Sequence, residues 1–147
     1  MSYSDIDDLR KEINEDDLAR LTGDIDGLTV NETRVTAASE KAFDVINTYL
    51  RGRFTVPLIE PIDPIIKSIS IDLTFAYLYE EAYATGSVPS TIVWRKIMTL
   101  KMLKDLRSGL YTLNPAYNQQ GESQPQILSN KSISERSFSS DQMADFP

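Results

Sequence analysis

Neither cysteine nor histidine occurs in the 147 residues of this chain. Without cysteine, disulfides and thiolate metal sites cannot hold the fold. Without histidine, the usual general base and the commonest zinc ligand are missing. A hydrolase of the Ser-His-Asp or Cys-His kind is therefore excluded. No run of apolar residues is long enough to cross a bilayer. The opening MSYSDIDDLRKE is acidic where a secretory signal would be basic and then apolar, so the expectation is no membrane and no export signal. Neither a Walker loop nor a dinucleotide fingerprint precedes a helix, which argues against nucleotide enzymes. The expectation is no enzyme activity, no cofactor and no metal.

What the chain does have is 41% apolar and 25% charged residues, the composition of one globular domain with a core of ordinary size. A formal net charge of -7 argues against binding duplex DNA over the whole surface, because phosphate affinity comes from clustered Lys and Arg. The charge is unevenly spread. Residues 1 to 33 hold ten acids and three bases, whereas residues 90 to 110 hold five bases and one acid. The bases are Arg95, Lys96, Lys101, Lys104 and Arg107, and the acid is Asp105. Either these are two solvated faces of opposite sign, or they are complementary patches that meet head to tail between copies, as in a ring.

Hydrophobic spacing predicts an all-α fold, a compact bundle of four to five helices followed by an extended C-terminal arm. Ser4 with Asp7 has capping-box spacing, and Ile6, Leu9 and Ile13 place a first helix over about 4 to 13. NEDDLARLTG opens with acids and stops at Gly23, a short second helix. Asn31 caps a long helix striped with Val35, Ala38, Ala42, Ile46 and Tyr49, running to about Leu50 or Arg51. Gly52 stands where a C-cap glycine would, flanked by Arg51 and Arg53, which suit the negative end of the helix dipole. Three prolines between Phe54 and Pro64, Pro57 among them, make a rigid apolar strap until Asp63 caps and Pro64 begins the next helix. That helix, Ile65 to Ala84, is apolar nearly all round and should be the most buried, although its β-branched content allows a strand over 68 to 73. Pro89 and Ser90 start a last helix through Leu106, ended by Ser108 and Gly109.

Beyond Thr112 the composition turns to Asn, Gln, Ser, Gly and Pro, which cannot bury enough apolar area to fold alone. The division is a helical domain over 1–112 and, over 113–147, a flexible arm that orders on assembly. Ile127, Leu128, Ile133, Phe138, Met143 and Phe146 are spaced along the arm as anchors for a partner.

Asp72 is the one acid in an apolar stretch, and a buried carboxylate needs a cation or several hydrogen bonds. The pairing expected is a fork from Arg53 or Arg51 onto Asp72, fixing the corner between the long helix and the central one. A carboxylate enzyme would need a second acid beside Asp72. The strings DIDD, EDD and DID lack the spacing of a calcium loop and read as helix-start acids. Trp94, Arg95 and Lys96 allow a different reading, a small helical regulatory or nucleic-acid-binding module working through the last helix.

The order of features is distinctive: Met-Ser-Tyr near the start, DLARLTG, YLRGRFTVPL, ISIDLTFAYLY and SGLYTL. Together they resemble the head-tail connector, or adaptor, proteins of Mu-like bacteriophages and prophages. The resemblance covers residues 1 to 112 and is strongest from Tyr49 to Leu58. SERSFSSDQMADF also resembles a C-terminal motif of that family, whereas 114 to 131 has no counterpart. The resemblance implies a non-enzymatic virion protein at the neck, present in the host cytoplasm during assembly. It implies a homo-oligomeric ring, usually a dodecamer, between the portal protein and the tail or its stopper protein, with DNA passing through the lumen without specific binding. Ile133, Phe138, Met143 and Phe146 would anchor the arm, and the basic residues of the last helix would form a contact surface between subunits or toward the portal.

Overall fold

The computed structural model describes residues 1–23, 29–83 and 87–117. Among these are five helices: α1 (Ile6–Glu12), α2 (Glu15–Thr22), α3 (Glu32–Leu50), α4 (Pro64–Ala82) and α5 (Ser90–Ser108). The all-α expectation holds, and the stretch that allowed a strand lies inside α4.

Local chemistry explains the helix ends. The first cap lies one residue later than expected: Asp5 is the N-cap, and the Asp8 carboxylate accepts from the Asp5 N–H at 3.2 Å. Ser4 is buried instead, its hydroxyl 2.8 Å from that of Ser70 on α4. Asn31 caps α3 by accepting from the Arg34 N–H, and Asp63 caps α4 by accepting from the Ile65 N–H at 3.0 Å, with Pro64 in the first turn. Gly23 and Gly109 end α2 and α5 in the left-handed conformation, at φ 65° and 86°, where a side chain would be strained. Gly52 does not do this for α3. That helix ends at Arg51 in right-handed geometry, and the positive φ values belong to Gly23 and Gly109 alone among the described residues.

The three long helices run up, down and up. The second half of α3 (Ala42, Ile46, Leu50) and the first half of α4 (Ile66, Ile69, Leu73) share one buried cluster with Leu103 and Leu106 of α5. At the other end of the pair, Val35 and Ala38 of α3 meet Phe75 and Leu78 of α4, covered by Leu9 of α1 and Leu18 of α2. Each fully buried Leu or Ile here is worth about 1.5–3 kcal/mol relative to exposure. The helical domain extends past its expected end at 112. Leu113 is buried in the first cluster, and the Asn114 N–H donates to the second oxygen of Asp63 at 2.9 Å.

The strap between α3 and α4 carries cis peptide bonds at Val56-Pro57 and Glu60-Pro61. It is held from outside the helices by Tyr3, whose hydroxyl donates to Asn47 Oδ1 on α3 and accepts from the Leu58 N–H at 2.9 Å. The Tyr3 ring is buried against Phe43, centroids 4.7 Å apart. Burial raises the Tyr3 phenol above its ordinary value, against hydrogen bonds from Leu58 and with Asn47 that lower it. One side chain near the N-terminus thus ties α3 to the strap. Tyr3→Phe keeps the ring and leaves the Leu58 N–H and the Asn47 oxygen without this partner, so it should cost about 1–3 kcal/mol in urea unfolding. An unchanged unfolding midpoint would remove this tie from the account.

Candidate functional site

Two groups of charged residues and one helix face are where the sequence pointed to function. The first group is the corner around Gly52. Arg53 Nη1 donates to the carbonyls of Leu106, in the last turn of α5, at 2.7 Å and of Tyr111, just beyond the helix, at 2.9 Å. Its guanidinium lies 5.3 Å from the centroid of the Phe54 ring, and Phe54 is itself buried in the core. Arg53 therefore satisfies carbonyls at the α5 C-terminus, where the helix dipole also favours a cation. The expected fork from Arg51 or Arg53 onto Asp72 does not form, because Arg53 is turned toward α5 and Arg51 is exposed at the end of α3. Gly52 and Gly109 both border arginines. A Cβ at Gly52 would lie 3.9 Å from Arg107 Nε, and one at Gly109 would lie 3.3 Å from Arg53 Nη1.

Asp72 has a different cation. Arg95 Nε lies 2.7 Å from its Oδ1, and the Thr99 hydroxyl donates to Oδ2 at 3.3 Å, so the pair joins α4 to α5. Burial pushes the Asp72 carboxyl above its ordinary value. Arg95 and the Thr99 hydrogen bond pull it down, and Glu12 pushes it up again. Desolvation outweighs the ion pair because Arg95 is itself half exposed, which weakens its attraction. Glu12, Lys67, Asp72 and Arg95 border a shallow cleft of about 230 Å³. Lys67 is also 3.5 Å from Asp8, so the charges around this cleft are largely compensated. No group of three or more acids able to hold a metal ion occurs among the described residues.

The basic residues of α5 divide accordingly. Arg95 is committed to Asp72. Lys96 is 2.6 Å from Glu80 and sits over the Tyr77 ring at 4.7 Å. Lys101, Lys104 and Arg107 are exposed and make no ion pair among the described residues. Between them lies the feature that sequence reading missed. Trp94 (62% exposed), Ile97 (50%), Val93, Met98 and Met102 face away from the body, while Thr99, Leu103 and Leu106 face into it. A helix apolar on opposite sides has a second face open to packing. The signal is present in VWRKIMTLKML, whose apolar residues do not keep to one stripe. The arm residues Ile133, Phe138, Met143 and Phe146 lie outside the described residues.

Five helices in this order, with YLRGRFTVPL forming the corner that grips the end of α5, make a small all-α domain. Residues 3–129 match the family model for Gp36 of bacteriophage Mu, and the chain belongs to that family. No curated protein matches it.

The electrostatics of Asp72 fix the sign of a mutational test. Because its folded-state value is raised, its contribution to stability is full below the ordinary value of 3.8 and is lost as the pH rises through the higher folded value. Arg95→Ala removes a charge that limits this loss. It should cost about 1 kcal/mol at neutral pH, a discounted figure for a half-exposed pair, and nothing measurable where Asp72 is protonated. Asp72→Asn should stay within about 0.5 kcal/mol of wild type at neutral pH, since it removes the desolvated charge itself. Thermal melts of both variants across the acid range check the pair, and an Arg95→Ala cost independent of pH would overturn it.

Proposed function

We propose that this phage protein is a non-enzymatic head-tail adaptor that forms a homo-oligomeric ring between the capsid portal and the tail or its stopper protein. The observation that carries the reading is the outward face of α5. The body already buries a continuous core, yet a whole side of one long helix leaves Trp94, Ile97 and Met98 in water. Exposed apolar surface of this kind, edged by polar residues, is characteristic of contact with another protein. Membership of the Gp36 family supports a phage role, and the motif order resembles the adaptors in particular.

The charge distribution fits the same task. With net charge -7, a ring of such subunits would let DNA pass without holding it, because sequence-independent retention requires clustered cations. Two of the five bases of α5 are bound within the subunit, which leaves little for a phosphate backbone. The protein would work in the virion neck after assembly in the host cytoplasm, with the portal as one neighbour and the tail or stopper as the other. The residues beyond Tyr117, with Phe138, Met143 and Phe146, would anchor it to one of them.

The test is the native mass of the purified full chain, alone and mixed with portal rings of a Mu-like phage. Attachment of many copies to each portal ring is the expected result. A chain that stays monomeric at high concentration and never joins the portal would overturn the proposal, while a monomer that assembles only on the portal is consistent with templated ring formation.

A further inference from the structure

The outward face of α5 has a chemical complement elsewhere on the same body. Where α1 passes over the start of α3 there is a cleft of about 400 Å³. Its floor combines Ile6, Leu9 and Val35 with the hydroxyl residues Ser4, Thr36 and Ser39, and its rim carries Asp5, Asp7, Glu32 and Glu40. The cations near this rim are few. Arg10 lies 3.2 Å from Asp7 and 3.9 Å from Glu32, and the N-terminal amine lies 3.5 Å from Glu40, all with exposed partners. Such pairs are screened and weak, so the rim stays acidic over a floor of mixed apolar and hydroxyl side chains. The outward face of α5 has the opposite character, an apolar ridge of Trp94 and Ile97 edged by Lys101 and Lys104.

The two surfaces do not meet within one chain, since Trp94 and Ile97 stay exposed and none of the residues that line the cleft belongs to α5. We propose that the α5 ridge of one copy seats in the α1–α3 cleft of a second copy, Trp94 and Ile97 over the mixed floor and Lys101 and Lys104 against the acid rim. Two different patches of one chain then pair, so the contact is head to tail and each copy keeps one ridge and one cleft for its neighbours. That is the geometry that closes into a ring or continues as a filament. The cleft is roomy enough for an indole, and opposite charge at the edges fixes the register of the contact more than its strength. The inference rests on the ring-forming reading above and assigns its two contact surfaces.

The experiment uses the full chain in two variants, a ridge variant (Lys101→Glu with Lys104→Glu) and a cleft variant (Asp7→Lys with Glu40→Lys). All four positions are on the surface, and circular dichroism melts confirm that each variant folds. Each variant by itself, in solution or on portal rings if the wild type assembles only there, should lose association between copies by at least about tenfold. An equimolar mixture should recover a complex, because the intact ridge of the cleft variant meets the intact cleft of the ridge variant. A photo-reactive benzoylphenylalanine in place of Ile97 should cross-link to residues 1–40 of another copy.

Self-association of either variant at wild-type strength, or a mixture that recovers nothing, overturns the proposal. So does a cross-link to the chain's own residues beyond Tyr117, to the portal or to added DNA, or no cross-link at all. The two readings separate cleanly. Assembly through these surfaces without portal attachment would sink the adaptor and keep the contact, whereas portal attachment unaffected by the variants would sink the contact and keep the adaptor.

Discussion

The grip of Arg53 on the end of α5 is the interaction on which the rest of the architecture turns. A guanidinium at the corner after α3 donates to the carbonyl of Leu106, which also accepts from the Gly109 N–H, and to that of Tyr111 just beyond the helix. It thereby fixes where α5 stops relative to where α3 stops. Since the core cluster contains Leu50, Leu103 and Leu106 together, that one register decides which side of α5 is buried and which is offered outward. The glycines at the corner serve the same grip, because Gly109 is both left-handed and close to the arginine head.

Much of this was legible in the sequence, and the reasons are local. Helix starts at Asn31 and Asp63 and stops at Gly23 and Gly109 depend on residues within a turn of one another, so spacing reveals them. The stripe of Val35, Ala38, Ala42 and Ile46 likewise reports its own burial. The partner of Asp72 was not legible. Pattern shows that a buried carboxylate needs a cation, but the choice between Arg53 and Arg95 depends on how α4 and α5 lie side by side, a long-range property. Tyr3 was missed for the same reason, since its two partners are 44 and 55 residues away and nothing nearby announces them.

The candidate contact surface was half legible. The sequence showed five bases on α5 and ten acids near the start, hence two patches of opposite sign. It did not show that Arg95 and Lys96 are spent within the subunit, nor that the remaining lysines frame exposed apolar side chains. For the proposed contact, exposed apolar area would supply the affinity and charge the alignment.

The carboxylate of Asp63 is shared between two tasks, with one oxygen starting α4 and the other receiving the Asn114 N–H. In mechanical terms, that makes it the point where load enters. Tension applied to the residues beyond Tyr117 would reach the body at Leu113 and at this carboxylate, against the first turn of the helix that runs through both clusters. The segment would thus pull on the start of α4 and on the cluster that Leu113 shares with Leu103 and Leu106 of α5.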